Sequence, residues 1–100
     1  MPIIRKQGTV SLVGTTILEI PQYQTVQVTG IRFNNAAAYD LKLEKFDFAT
    51  GTTLTIYDLT LSAGDTVTDD FPYIMTVNDK LIATSSIAGT TFFVNAISIQ

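Results

Sequence analysis

Asp65, Asp69, Asp70 and Asp79 are the residues here whose type and grouping first invite a chemical reading. Hard cations such as calcium want several loop oxygens. No loop has the alternating Asp-x-Asp-x-Asp-Gly spacing of a calcium loop. All four aspartates fall in or beside turns, at Ala63-Gly64-Asp65, Asp69-Asp70 before Pro72, and Asn78-Asp79. Asp favours such places because its side chain accepts hydrogen bonds from nearby backbone. Turn chemistry therefore takes precedence over a metal site. A second acidic set, Asp40, Glu44 and Asp47, lies among Lys42 and Lys45. Paired carboxylates can hydrolyse glycosides. Here the alternation with Leu41 and Leu43 is read as placing the whole set, Asp47 included, on the wet face of one strand, where cross-strand ion pairing accounts for them.

The tyrosines are the third set. Tyr23, Tyr39, Tyr57 and Tyr73 would suit a sugar-stacking or protein-contact surface, since a tyrosine offers an apolar ring and a polar tip. Tyr39 and Tyr57 read as core, and Tyr23 and Tyr73 as the exposed pair. Neither histidine nor cysteine occurs among the 100 residues. That removes Ser-His-Asp and Cys-His nucleophiles, thiolate metal sites and any disulfide framework. No Gly-rich phosphate loop is present. No metal, no cofactor and no enzymatic activity are expected.

Charge and hydropathy narrow the partners. The net charge is -3 and the six basic residues are scattered, with only Arg5 and Lys6 adjacent. Nucleic acid, which demands clustered cations, is not an expected partner. The apolar runs are far shorter than the roughly 20 residues of a membrane span, and no cleavable export segment is visible at the start. The cysteine-free composition is compatible with a reducing cytosol.

The elements that carry these residues are strands. Sixteen threonines stand among many Val, Ile, Leu, Phe and Tyr, and no window holds a helical period. Strands are predicted over Thr9–Val13 resuming at Thr15–Ile20, over Thr25–Phe33, over Tyr39–Phe48, from Leu54 to Leu61, around Val67, over Tyr73–Met75, over Leu81–Thr84 and over Thr91–Ile99. Turn residues separate them at the spacing of a sandwich or barrel. Three strands change parity midway: Leu41 and Leu43 give way to Phe46 and Phe48, Leu54 and Ile56 to Tyr57, Leu59 and Leu61, and Val26 and Val28 to Ile31 and Phe33, where Gly30 predicts a bulge. The expected fold is a single antiparallel β-sandwich, all-β and jelly-roll-like, of about eight strands. Val28, Phe33, Leu41, Leu43, Ile56, Leu59, Leu81, Phe92 and Val94 should form its core.

Residues 1–7 stand apart, with the sandwich assigned to 8–100. Ile3 and Ile4 are unusual in a free tail and are followed by Arg5 and Lys6. The segment reads as an arm that orders on a neighbouring subunit, with Arg5 and Lys6 meeting acidic turns such as Asp69-Asp70. Ile3, Ile4, Arg5, Lys6, Tyr23 and Tyr73 are the candidate partner contacts. Thr9–Val13 and Tyr73–Met75 are the expected free edges.

The chain also resembles the small Thr-rich β-sandwich virion proteins of tailed phages, that is, head decoration (auxiliary capsid) proteins and minor head–tail components. The resemblance rests on Phe33-Asn34-Asn35 ahead of Tyr39-x-Leu41-x-Leu43, on Leu59-x-Leu61-x-Ala63-Gly64-Asp65, on Asn78-Asp79-x-Leu81-Ile82-Ala83, and on the closing turn and strand from Ser86 to Val94. It covers about residues 25 to 99. It implies a non-enzymatic structural protein of the virion, made in the host cytoplasm. It further implies a symmetric homo-oligomer that binds the major capsid protein or another virion protein and stabilises the head. The alternative is a carbohydrate- or receptor-binding module of a fibre or secreted protein.

Overall fold

The computed structural model describes residues 3–21 and 24–99. Nine strands follow one another: β1 (Ile3–Thr9), β2 (Thr15–Glu19), β3 (Val26–Asn34), β4 (Tyr39–Asp47), β5 (Thr52–Leu61), β6 (Thr66–Asp69), β7 (Ile74–Met75), β8 (Lys80–Ser85) and β9 (Thr91–Ser98). No helix occurs among the described residues. One sheet has the order β1-β9-β3-β6, with β7 also paired to β3; the other has the order β2-β8-β4-β5. Every pairing is antiparallel. The chain crosses between the sheets in the manner of a jelly roll, pausing in one sheet for β4 and β5 and in the other for β6 and β7, and each sheet covers the apolar face of the other.

Side-chain alternation explains the layering. In β4, Tyr39, Leu41 and Leu43 are buried, with the charged residues between them turned outward. Val26, Val28, Ile31 and Phe33 of β3 face them together with Val94 and Ala96 of β9. Each fully buried Val, Ile, Leu or Phe contributes about 1.5–3 kcal/mol. Six of the nine expected core residues are fully buried, while Ile56 and Phe92 are partly buried against the core and Leu59 is half-exposed. The core also takes in Val10, Ile17, Leu18, Ile20 and Met75.

The parity changes expected in β3, β4 and β5 resolve differently, and β2 adds a shift that its sequence does not mark. In β3 the register shifts between Val28 and Gly30, as the sequence predicts. In β2 it shifts between Thr16 and Leu18, so Ile17 and Leu18 are both buried. In the β4–β5 pair the extra residue is Ile56 of β5, which lies between the partners of Leu43 and Glu44. β4 itself runs unbroken along β8. Phe46 therefore does not change face. It stays with Asp40, Lys42 and Glu44 outside, where the Lys80 ammonium lies 5.9 Å from its ring centre.

The start of the chain departs from expectation. Residues 3–7, read as an arm, are the body of β1, which pairs with β9 in unbroken register from Ile3–Ile97 to Thr9–Thr91. The reason lies in β9, whose apolar residues place it inside the sheet; β3 covers one of its edges and β1 the other. Ile4 packs against the core from β1. The predicted strand Thr9–Val13 is not formed: Leu12 and Val13 make the turn into β2.

Two turns carry visible chemistry. Gly64 has φ 80°, a conformation that glycine adopts freely. Asn78, at φ 63°, is the non-glycine residue among those described with positive φ, a state asparagine tolerates better than most.

Candidate assembly surface

The sandwich has two unlike sides, one where β1 lies beside β2 and one where β5 lies beside β6. On the first, Ile3 is 62% exposed, and Arg5, Lys6 and Gln7 are exposed with it. Register places Ile3, Arg5 and Gln7 on the outer face with Ile97, Asn95 and Phe93. Ile4 and Lys6 take the opposite parity, so Lys6 is a charge on the core-side row that reaches out past the edge. Edge strands with such charges resist pairing with other strands. Neither Arg5 nor Lys6 has an ion-pair partner among the described residues.

The other side is built differently. β5 is ten residues long with Asp58 as its one charge, and Leu54 is 68% exposed. Between β5 and the segment that follows β6 lies a shallow, open cleft of about 470 Å³, lined by Tyr57, Leu59, Val67, Thr68, Asp69, Asp70, Phe71 and Tyr73. Phe71 is 61% exposed and its ring lies 4.8 Å from that of Tyr73, tilted by 48°. Asp69 organises the cleft: its carboxylate accepts the Tyr73 hydroxyl at 2.7 Å and the Phe71 N–H at 3.0 Å. The Tyr57 hydroxyl oxygen is shielded from water and makes no hydrogen bond of acceptable geometry among the described residues. Burial first, then the Asp69 carboxylate, pushes the Tyr57 phenol far above its ordinary range. Tyr73 is raised as well, by burial and by its bond to Asp69.

The candidate partner contacts fall on both sides. Ile3, Ile4, Arg5 and Lys6 share β1, whereas Tyr73 belongs to the cleft beyond the far edge of the same sheet. The fold therefore does not bring Tyr73 to Arg5 and Lys6 within one chain. Tyr23 lies outside the described residues. Asp65 and Asp79 act as turn pins. Asp65 accepts the Ser62 N–H, and the buried Asp79 accepts N–H bonds from Phe48 and Thr76 and the Thr76 hydroxyl. Among the described residues no three acidic groups are grouped to hold a metal ion. Asp40 and Glu44 lie on the outer face of β4, with Lys42 3.8 Å from Glu44, whereas Asp47 has the parity of Leu43 and accepts the Ala49 N–H in the turn that follows. Tyr39 is core, and its hydroxyl donates to the Asp65 carbonyl at 2.9 Å.

Sequence reasoning missed a buried polar knot. Asn35, 6% exposed, donates to the Ala88 carbonyl and to the Thr90 hydroxyl and accepts the Ala37 N–H. Thr90 also bonds Ser85 at 2.6 Å. The Phe33-Asn34-Asn35 stretch marked this turn as distinctive, but the Ala88 and Thr90 that Asn35 bonds lie more than fifty residues away.

The class defined by this architecture is the two-sheet jelly roll. No protein-family model matches the sequence, and no curated protein is similar to it. Solved structures of several kinds share the fold. One is a chain of the infectious bursal disease virus particle, 13% identical, TM-score 0.55, matched over 97% of this chain and 31% of that one. Another comes from Bacillus endospore appendages, described as disulfide-linked pili, at 10% identity and TM-score 0.54, over 99% of this chain and 87% of that one. A third is a pentameric capsid protein from metagenomic phage sequences, 20% identical, TM-score 0.50, over 95% of this chain and 62% of that one. The chain spans less than two thirds of the length of both viral proteins. It thus has a capsid-like β fold that also occurs in a spore pilus.

Proposed function

We propose that this chain is a non-enzymatic structural subunit of a virus particle, an auxiliary protein that binds a phage head and stabilises it. The observation that carries this reading is the jelly roll itself, followed over nearly the whole chain in two viral particle proteins. The side chains agree with it. The acidic groups that could have been chemical are engaged in turns or ride on a solvated face, and the exposed groups that remain free are apolar, aromatic or singly charged. Such a surface binds proteins. Many copies bound to a lattice raise its stability by mass action, because they bind the assembled form and not its parts.

The test is direct. Particles purified from infected cells should contain the protein at a fixed copy number, and heads lacking it should break at lower temperature and regain resistance when it is added back. Heads that neither contain nor bind the protein would overturn the proposal.

One observation favours a second reading, a subunit of a filament: the spore-appendage likeness spans nearly all of that chain. Any filament of this protein would have to be held without disulfides, since the sequence has no cysteine. Electron microscopy of the purified assembly separates fibres from closed or head-bound forms.

A further inference from the structure

We infer that the two unlike sides of the sandwich are halves of one interface, through which the β1 edge of one copy docks its Arg5 and Lys6 into the Tyr57–Phe71–Tyr73 cleft of the next. This deepens the structural-subunit reading and rests on it.

The two surfaces are complementary in kind. The cleft presents aromatic rings with Asp69 within and the exposed Asp70 at its rim. Ring faces attract cations, and a guanidinium or ammonium leaving water for such a site finds both π faces and carboxylates. The β1 edge presents two adjacent cations with no ion-pair partner among the described residues. Beside them Ile3, 62% exposed, matches Phe71, 61% exposed, so apolar area is covered along with charge.

Geometry makes the contact intermolecular. β1 and β6 are opposite edges of one sheet, with β9 and β3 between them. At the usual strand spacing they are about 14 Å apart, and the sheet between them is rigid. Arg5 and Lys6 cannot reach the cleft of their own chain. A two-fold contact through either side alone would set like against like, Asp69 and Asp70 against their own copies or Arg5 and Lys6 against theirs, which is penalised. Head-to-tail contact pairs opposites. Such heterologous contacts close into rings where the rotation permits and otherwise run on as filaments.

The experiment uses the full chain and two double variants, Arg5→Ala with Lys6→Ala, and Asp70→Ala with Phe71→Ala. All four residues are exposed, and thermal melts should show both variants folded. Asp69 is left in place because it holds Tyr73. By native mass spectrometry the unaltered protein should be an oligomer that dissociates as salt rises. Each variant alone should be monomeric. Their equimolar mixture should give a pair with one copy of each, because each supplies the half the other lacks, and that pair should not extend. An unaltered protein that stays monomeric, a variant that assembles alone, or a mixture that stays monomeric overturns the inference. So does a saccharide that binds a monomeric protein through Phe71, which would make the cleft a sugar site. A monomer that still binds purified heads defeats this interface alone; an assembly that never enters particles defeats the virion reading alone.

Discussion

The β1 side and the β5 side of this sandwich solve the same problem in opposite ways. Both end in strands with unpaired backbone, which invite further strands. β1 carries a charge in each parity, Arg5 on the outer row and Lys6 on the core-side row. β5 carries one charge in ten residues and leaves Leu54 bare, with an aromatic cleft beside it. A guarded edge admits only a partner that can neutralise its charges. The open side offers carboxylates and rings that do so. The contrast teaches that edge protection and partner choice can reside in the same side chains.

The largest expected effect comes from the layer that both sides share. Phe33 is fully buried between the sheets, so Phe33→Ala should lower unfolding free energy by about 3–5 kcal/mol, read from urea melts. Both sides should be lost in one transition. Separate transitions for the two sides would break the comparison at its base.

Smaller changes separate the sides. Ile4→Ala strips a partly buried anchor from β1 and should cost about 1–2 kcal/mol, below the range for full burial. Tyr73→Phe removes the bond to Asp69 on the other side and should cost about 1 kcal/mol, since the site is partly open to water. Tyr57→Phe should go the other way, neutral or stabilising by up to about 1 kcal/mol, because it deletes a shielded hydroxyl with no well-formed hydrogen bond among the described residues. A loss above that size would mean that the hydroxyl is bonded after all.

pH sharpens the contrast further. The Tyr57 and Tyr73 phenols are raised in the folded chain, by burial first in each case, and ionise near 10 when unfolded. Above that pH the unfolded chain binds fewer protons than the folded one. Stability is therefore full below about pH 10 and falls as pH rises. Tyr57→Phe and Tyr73→Phe should each flatten the fall in alkaline melts; Ile4→Ala should leave it unchanged. The smallest effect belongs to Phe71→Ala, an exposed ring, which should shift stability by no more than about 0.5 kcal/mol.

How much of this was legible in the sequence follows from how local each signal is. The alternation of Tyr39, Leu41 and Leu43 with charged residues named a face directly, and Gly30 and Gly64 named a bulge and a turn. β1 was misread because Gln7 and Gly8 blur its alternation and because its strand state depends on β9, nearly ninety residues later in the chain. Phe46 was assigned the wrong face because the extra residue lies in β5, not in β4. The cleft was invisible as a unit. Tyr57 belongs to one sheet and Asp69 to the other, and only the closure of the sandwich sets them together. Tyr73 was singled out for its type alone, with no sign of its bond to Asp69.

The absence of native cysteine allows the central claim to be tested by cross-linking. Lys6→Cys and Asp70→Cys would be prepared separately, mixed and oxidised under non-reducing conditions. Head-to-tail docking predicts disulfide-linked pairs joining one variant to the other, and no linked species from either variant alone. Pairs formed by a single variant with itself, or no linkage in the mixture, would contradict it.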